Sequence, residues 1–164
     1  MSSAPEPLVQ YVTHSPEETI DLGRKIAGQF NPPVLVLQLG DLGAGKTTLT
    51  KGIVEGLGAA AMADVTSPTF TLIHEYGMAR KSSPRVYHID LYRIEDARDL
   101  MTLGLDDLLA ENAVVLIEWG EKLGSAMKRT FPGSRTVEIH ISSISDTTRQ
   151  FELREALTEV SNGN

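Results

Sequence analysis

The sequence contains no cysteine, which excludes disulfides, thiol catalysis and cysteine-ligated zinc. It also has no apolar stretch near the roughly 20 residues that a membrane span requires. The opening Met1-Ser2-Ser3-Ala4-Pro5-Glu6-Pro7 carries neither basic residues nor an apolar leader core, so a cytoplasmic protein is expected. Basic side chains are in short supply: 15 against 22 acidic ones, a formal charge of −7. Affinity for nucleic acid comes mainly from Lys and Arg neutralising phosphates, so autonomous binding of RNA or DNA over a broad surface is disfavoured. The group Lys122, Lys128, Arg129 and Arg135 reads as ordinary solvated charge. Repeats, long low-complexity segments and hinge-like linkers are absent too. At 164 residues and 41% hydrophobic content the chain can fill one core, and it is too short for two ordinary domains. A single domain over residues 8–158 is expected, with flexible tails at 1–7 and 159–164.

What is present is more specific. Gly40-Asp41-Leu42-Gly43-Ala44-Gly45-Lys46-Thr47 fits the phosphate-loop pattern G-x-x-x-x-G-K-[ST] and follows the apolar run Val34 to Leu39 without a gap. The glycines let backbone N–H groups turn inward around phosphates, Lys46 can reach the β and γ oxygens, and the Thr47 hydroxyl can hold Mg²⁺. Such a loop needs a buried strand before it and a helix N-terminus after it, facing the anion. Leu49, Ile53 and Leu57 recur with helical period after Lys46, and Gly58 suits a stop. Gly52 inside that helix predicts close packing against a neighbouring strand.

The remaining elements fall around this unit. Ser15-Pro16-Glu17-Glu18 has the form of a helix start, with Ser15 as N-cap and Pro16 at the first helical position. Ile20, Leu22, Ile26 and Ala27 give that helix an apolar face, and Asn31-Pro32-Pro33 ends it. Thr69 to Tyr76 and Val86 to Ile89 read as strands flanking the basic turn-rich stretch Gly77 to Arg85. Leu100 to Ala110 reads as one or two short helices, and Ala113 to Ile117 as a central buried strand. Thr136 to Ile141 and Gln150 to Arg154 alternate across a polar link, which predicts an antiparallel C-terminal hairpin. The expected fold is α/β: a three-layer P-loop NTPase arrangement with a mixed, mostly parallel central sheet between helices.

Hydrolysis of a bound nucleotide also needs a carboxylate for Mg²⁺ and a group that manages water. Asp90 and Glu118 each close an apolar strand, so parallel strands would deliver both to the phosphate crevice; spacing alone leaves their division of labour open. His88 lies on the same strand face as Asp90 and could orient it, although a lone histidine is more often structural. Thr66-Ser67-Pro68-Thr69 is either a polar turn or a rigid presentation of hydroxyls to a γ-phosphate. Trp119, the only tryptophan, is either a packing residue or a contact for ligand or partner. The guanine-reading Asn-Lys-x-Asp and the turn Asp-x-x-Gly do not occur, which favours ATP over GTP. A small-molecule kinase uses the same loop, and Arg80, Lys81 and Arg85 could serve its lid.

Four motifs, Gly40 to Thr48, Ser67-Pro68-Thr69-Phe70-Thr71, His88-Ile89-Asp90-Leu91-Tyr92-Arg93 and Ile117-Glu118-Trp119, together resemble the TsaE family over roughly residues 15 to 155. The resemblance implies a single-domain, Mg²⁺-dependent ATPase in the formation of threonylcarbamoyladenosine in ANN-decoding tRNAs. It implies partnership with the TsaB and TsaD proteins, which perform the transfer, and contact with tRNA only through that complex. It further implies nucleotide contacts from Asp41, Gly43, Ala44, Gly45, Lys46, Thr47, Thr48, Thr69 and Arg149, and a Mg²⁺ site at Thr47 and Glu118. Lys46, Asp90 and Glu118 form the implied catalytic set, and Ser15 to Thr19 the implied adenine contact. An ATPase that switches an assembly is expected to be slow alone and faster with its partners.

Overall fold

The computed structural model describes residues 9–40, 45–59, 73–77, 85–91, 113–118 and 135–157. Strand β1 (Val9–Thr13) leads into helix α1 (Pro16–Ala27), and β2 (Val34–Leu39) into helix α2 (Lys46–Gly56). Strands β3 (Ile73–Tyr76), β4 (Val86–Asp90), β5 (Val114–Glu118), β6 (Arg135–Ser143) and β7 (Arg149–Leu157) complete the order. The expected helices in Leu100 to Ala110, the Thr66 to Thr71 segment, Trp119 and both tails lie outside the described residues.

All seven strands form one sheet in the order β1-β7-β6-β2-β5-β4-β3. β2 is central and pairs in parallel with β5 and β6, and β5 pairs in parallel with β4. The hairpin β6–β7 and the edge pairs β1–β7 and β3–β4 are antiparallel. β1, β2, β4, β5 and β6 therefore run one way, and only β3 and β7 oppose them. The mixed, mostly parallel sheet and its C-terminal hairpin follow the sequence reading.

β1 does not. Val-Gln-Tyr-Val-Thr is short, lies at the sheet edge and is largely exposed along its length, so it lacks the continuous apolar run that marks β2 and β5. Those central strands are out of water on both faces. Val34, Val36, Val114 and Leu116 pack with α1 and α2, while Leu35, Leu37, Val115 and Ile117 are buried on the other face. Two-sided burial makes them read as unbroken hydrophobic sequence, and each such side chain contributes roughly 1.5–3 kcal/mol.

Helix α1 starts as its sequence dictates: the extended Ser15 accepts from the Glu18 amide at 3.1 Å, and Pro16 follows. Helix α2 starts at Gly45, whose φ of 109° belongs to glycine. It ends at Leu57 with Gly58 at positive φ, where Gly58 N donates to Glu55 O and Ala59 N to Val54 O, the pairing of a Schellman stop. Gly52 corrects one expectation: it packs against helix α1, not against a strand. A Cβ there would lie 2.1 Å from the Ile20 carbonyl oxygen and 3.0 Å from the Gly23 Cα, so two glycines let the helix backbones touch. No helix among the described residues is long and apolar enough to cross a membrane.

Candidate nucleotide site

The parallel register sets the site. Gln38 of β2, Glu118 of β5 and Asp90 of β4 are direct neighbours across three strands, all at carboxyl ends. Asp90 and Glu118 thus emerge together, as the sequence required of parallel strands. α2 begins above the same edge, as ligand sites in open α/β sheets require. Three bonds tie its first turns to the strands below. Thr47 Oγ1 donates to Glu118 Oε1 at 2.9 Å. Gln38 Nε2 donates to Thr50 Oγ1 at 2.6 Å, and Thr50 Oγ1 donates back to the Lys46 carbonyl at 2.9 Å. Lys46 Nζ donates to the Gly40 carbonyl, so the buried ammonium sits at the exit of β2.

Glu118 is buried, and its second oxygen, Oε2, bonds His88 Nε2 at 2.5 Å. His88 therefore serves Glu118 and not the Asp90 that shares its strand face. Residues i and i+2 on a strand are separated by about 7 Å along parallel side-chain directions, whereas a long side chain can lean across to the next strand.

Beside the start of α2 lies a cavity of about 270 Å³. Gly45 and Thr48 line one side, His14, Ser15, Pro16 and Thr19 a second, and Asp146, Thr147 and Arg149 of the β6–β7 hairpin a third. A Thr13–Thr19 hydroxyl pair at 2.7 Å braces the second wall, and a His14–Thr148 bond at 3.3 Å fastens it to the hairpin. Arg149 Nη1 donates to the Ser145 carbonyl at 2.7 Å, which holds the guanidinium at the rim. The structure thus joins the N-terminal segment, Arg149 and the phosphate-loop helix, although they are far apart in the chain. Gln38, Thr50, Asp146 and Thr147 were not singled out in the sequence; only Thr50, one turn beyond Lys46, carried a local signal. Asp41, Gly43, Ala44 and Thr69 lie outside the described residues.

The family profile described as threonylcarbamoyl adenosine biosynthesis protein TsaE matches residues 13–151. The chain belongs to the TsaE family. TsaE of Haemophilus influenzae, a tRNA threonylcarbamoyladenosine biosynthesis protein, is 40% identical over 124 residues, covering 71% of this chain and 73% of that one. TsaE of Bacillus subtilis is 46% identical over 112 residues, covering 68% and 66%. The crystal structure of Bacillus subtilis YdiB superposes with a TM-score of 0.67 at 33% identity, covering 95% of this chain and 89% of that one. The sheet and helices described above are thus the TsaE fold, and the chain's place is in threonylcarbamoyladenosine biosynthesis.

The donors beside the loop helix suit Mg²⁺. A hydroxyl and a carboxylate, both hard oxygen donors, stand 2.9 Å apart at Thr47 and Glu118. Mg²⁺ usually takes one or two protein oxygens and completes its shell with phosphate and water.

Proposed function

We propose that this TsaE-family chain is a Mg²⁺-dependent ATPase that supports threonylcarbamoyladenosine formation in ANN-decoding tRNAs, acting with TsaB and TsaD and not transferring the group itself. The observation that carries the reading is the Thr47–Glu118 bond beside Lys46, at the carboxyl ends of parallel strands. The phosphates occupy the N-terminal end of α2, where the first-turn backbone N–H groups and the helix dipole favour anions. Lys46 exchanges the Gly40 carbonyl for phosphate oxygens. The adjacent cavity between Ser15, Thr48 and Arg149 takes the nucleoside. Thr47 and Glu118 would hold Mg²⁺, which would neutralise developing charge on the phosphates. That leaves Asp90, the direct neighbour of Glu118 on β4, to orient and deprotonate the attacking water.

The partner assignment is supported by charge: with 22 acidic and 15 basic side chains, this chain is poorly suited to hold tRNA itself. Localisation in the cytoplasm accords with that role. Release of inorganic phosphate from ATP in Mg²⁺ and in EDTA, with Lys46→Ala as blank, tests the chemistry. Phosphate release that needs Mg²⁺ and Lys46 is expected; label appearing on an acceptor instead would replace the ATPase reading with a kinase.

A further inference from the structure

Glu118 is held from two sides by different elements: Thr47 of α2 at Oε1 and His88 of β4 at Oε2. These two tethers are not equivalent. Thr47 is also the proposed metal donor, offering an oxygen lone pair while its O–H stays on Glu118 Oε1, so that bond belongs to the cation site itself. The His88 bond lies on the far oxygen.

The histidine is built to be immobile. Its ring is fully buried and meets His74 of β3 edge to face, with centroids 6.4 Å apart and planes at 83°. An ionised carboxylate can only accept, so Nε2 carries the proton of the 2.5 Å bond to Glu118. The other nitrogen, Nδ1, is buried and has no hydrogen-bond partner among the described residues. An unsatisfied buried nitrogen opposes folding, a cost that a leucine at this core position would avoid. What offsets it is the bond that Nε2 makes.

We infer that His88 is a positioning residue for the metal-side carboxylate: its Nε2–H fixes Glu118 Oε2 and thereby aims Oε1 at Thr47 and the cation. The inference rests on the proposed Mg²⁺ site and deepens it. Groups that orient a ligating side chain typically matter by about 10–100-fold in metal affinity or activity.

The test is calorimetric ATP binding across a Mg²⁺ titration, with and without EDTA, on the wild type and on His88→Gln, His88→Asn and His88→Leu. Thermal unfolding and circular dichroism establish that each variant is folded. A glutamine amide nitrogen falls near the Nε2 position, an asparagine one nearer Nδ1, and leucine supplies volume without a donor. Metal-free ATP affinity is expected to stay near wild type in all folded variants. The Mg²⁺ concentration for half-maximal tightening is expected to rise about 10–100-fold in the Asn and Leu variants and to stay near wild type in Gln. Equal behaviour of Gln and Asn, or a wild-type Mg²⁺ requirement in Asn or Leu, would overturn the inference and leave His88 a packing residue. If the Leu variant does not fold, the Gln and Asn pair decides alone. A wild type whose ATP binding ignores Mg²⁺ refutes the metal site itself, a failure visible before any substitution is compared.

Discussion

Thr47 follows Lys46 in sequence, yet the two side chains serve different strands: Thr47 reaches Glu118 on β5, and Lys46 returns to Gly40 at the end of β2. This division predicts distinct losses. Lys46→Ala removes a buried ammonium from the proposed phosphate position, so ATP binding itself should fall in a titration, and hydrolysis with it. Glu118→Gln and Asp90→Asn keep side-chain volume and remove charge. Each should lower kcat by about 10²–10³ while leaving metal-free ATP affinity close to wild type, since its contribution is to the metal or the transition state. Normal turnover in either variant would remove that residue from the catalytic set. Lys46 and Thr47 were singled out by the phosphate-loop motif, and Asp90 and Glu118 by each closing an apolar strand. The bond between His88 and Glu118 was not legible, because it joins positions 30 residues apart and depends on the lean of one side chain across a parallel register. Arg149 came only from the family resemblance; its position against Gly45 and Thr48 depends on where the hairpin returns.

Between elements, the crossing of α1 and α2 is fixed by Gly23 and Gly52. Alanine normally improves a helix interior over glycine by about 1 kcal/mol. Here Gly52→Ala should instead destabilise by about 1–3 kcal/mol, because the new methyl group would meet the Ile20 carbonyl, backbone that cannot move aside cheaply. The shift of the urea midpoint measures it, and a stabilised variant would contradict the close crossing. The same contact links the wall of the cavity proposed for the nucleoside to the phosphate-loop helix, since Ser15 starts α1 and Gly45 starts α2. Ser15→Ala should therefore cost about 1 kcal/mol of stability through the lost cap and weaken ATP binding in the same preparation. The helix caps were readable because capping is local chemistry. The partner of Gly52 was not, since a missing side chain shows that something comes near but not what. β1 escaped notice because an exposed edge strand has little apolar pattern to read, and its place is settled by pairing with β7, at the far end of the chain.

Across the sheet, the strand order gathers the proposed functional groups among the described residues at one edge. β2, β4 and β5 end there, β7 begins there, and α1 and α2 both start there. The composition, 22 acidic against 15 basic side chains, argues against autonomous tRNA binding. The isolated chain should show no salt-dependent tRNA retention in a filter-binding titration, in contrast to a complex that includes the partners. Fold class was legible at this scale because a phosphate loop fixes the strand before it and the helix after it together. The proposed partners came from the family resemblance alone, since an assembly depends on surfaces of other chains.

The account stands most directly on the rate of ATP hydrolysis by the purified protein with Mg²⁺, measured alone and after addition of TsaB and TsaD from the same organism, with Lys46→Ala as blank. Slow, Lys46-dependent turnover that rises when both partners are present is the predicted result. Absence of hydrolysis in every mixture, or a rate indifferent to the partners, would contradict a partner-gated ATPase.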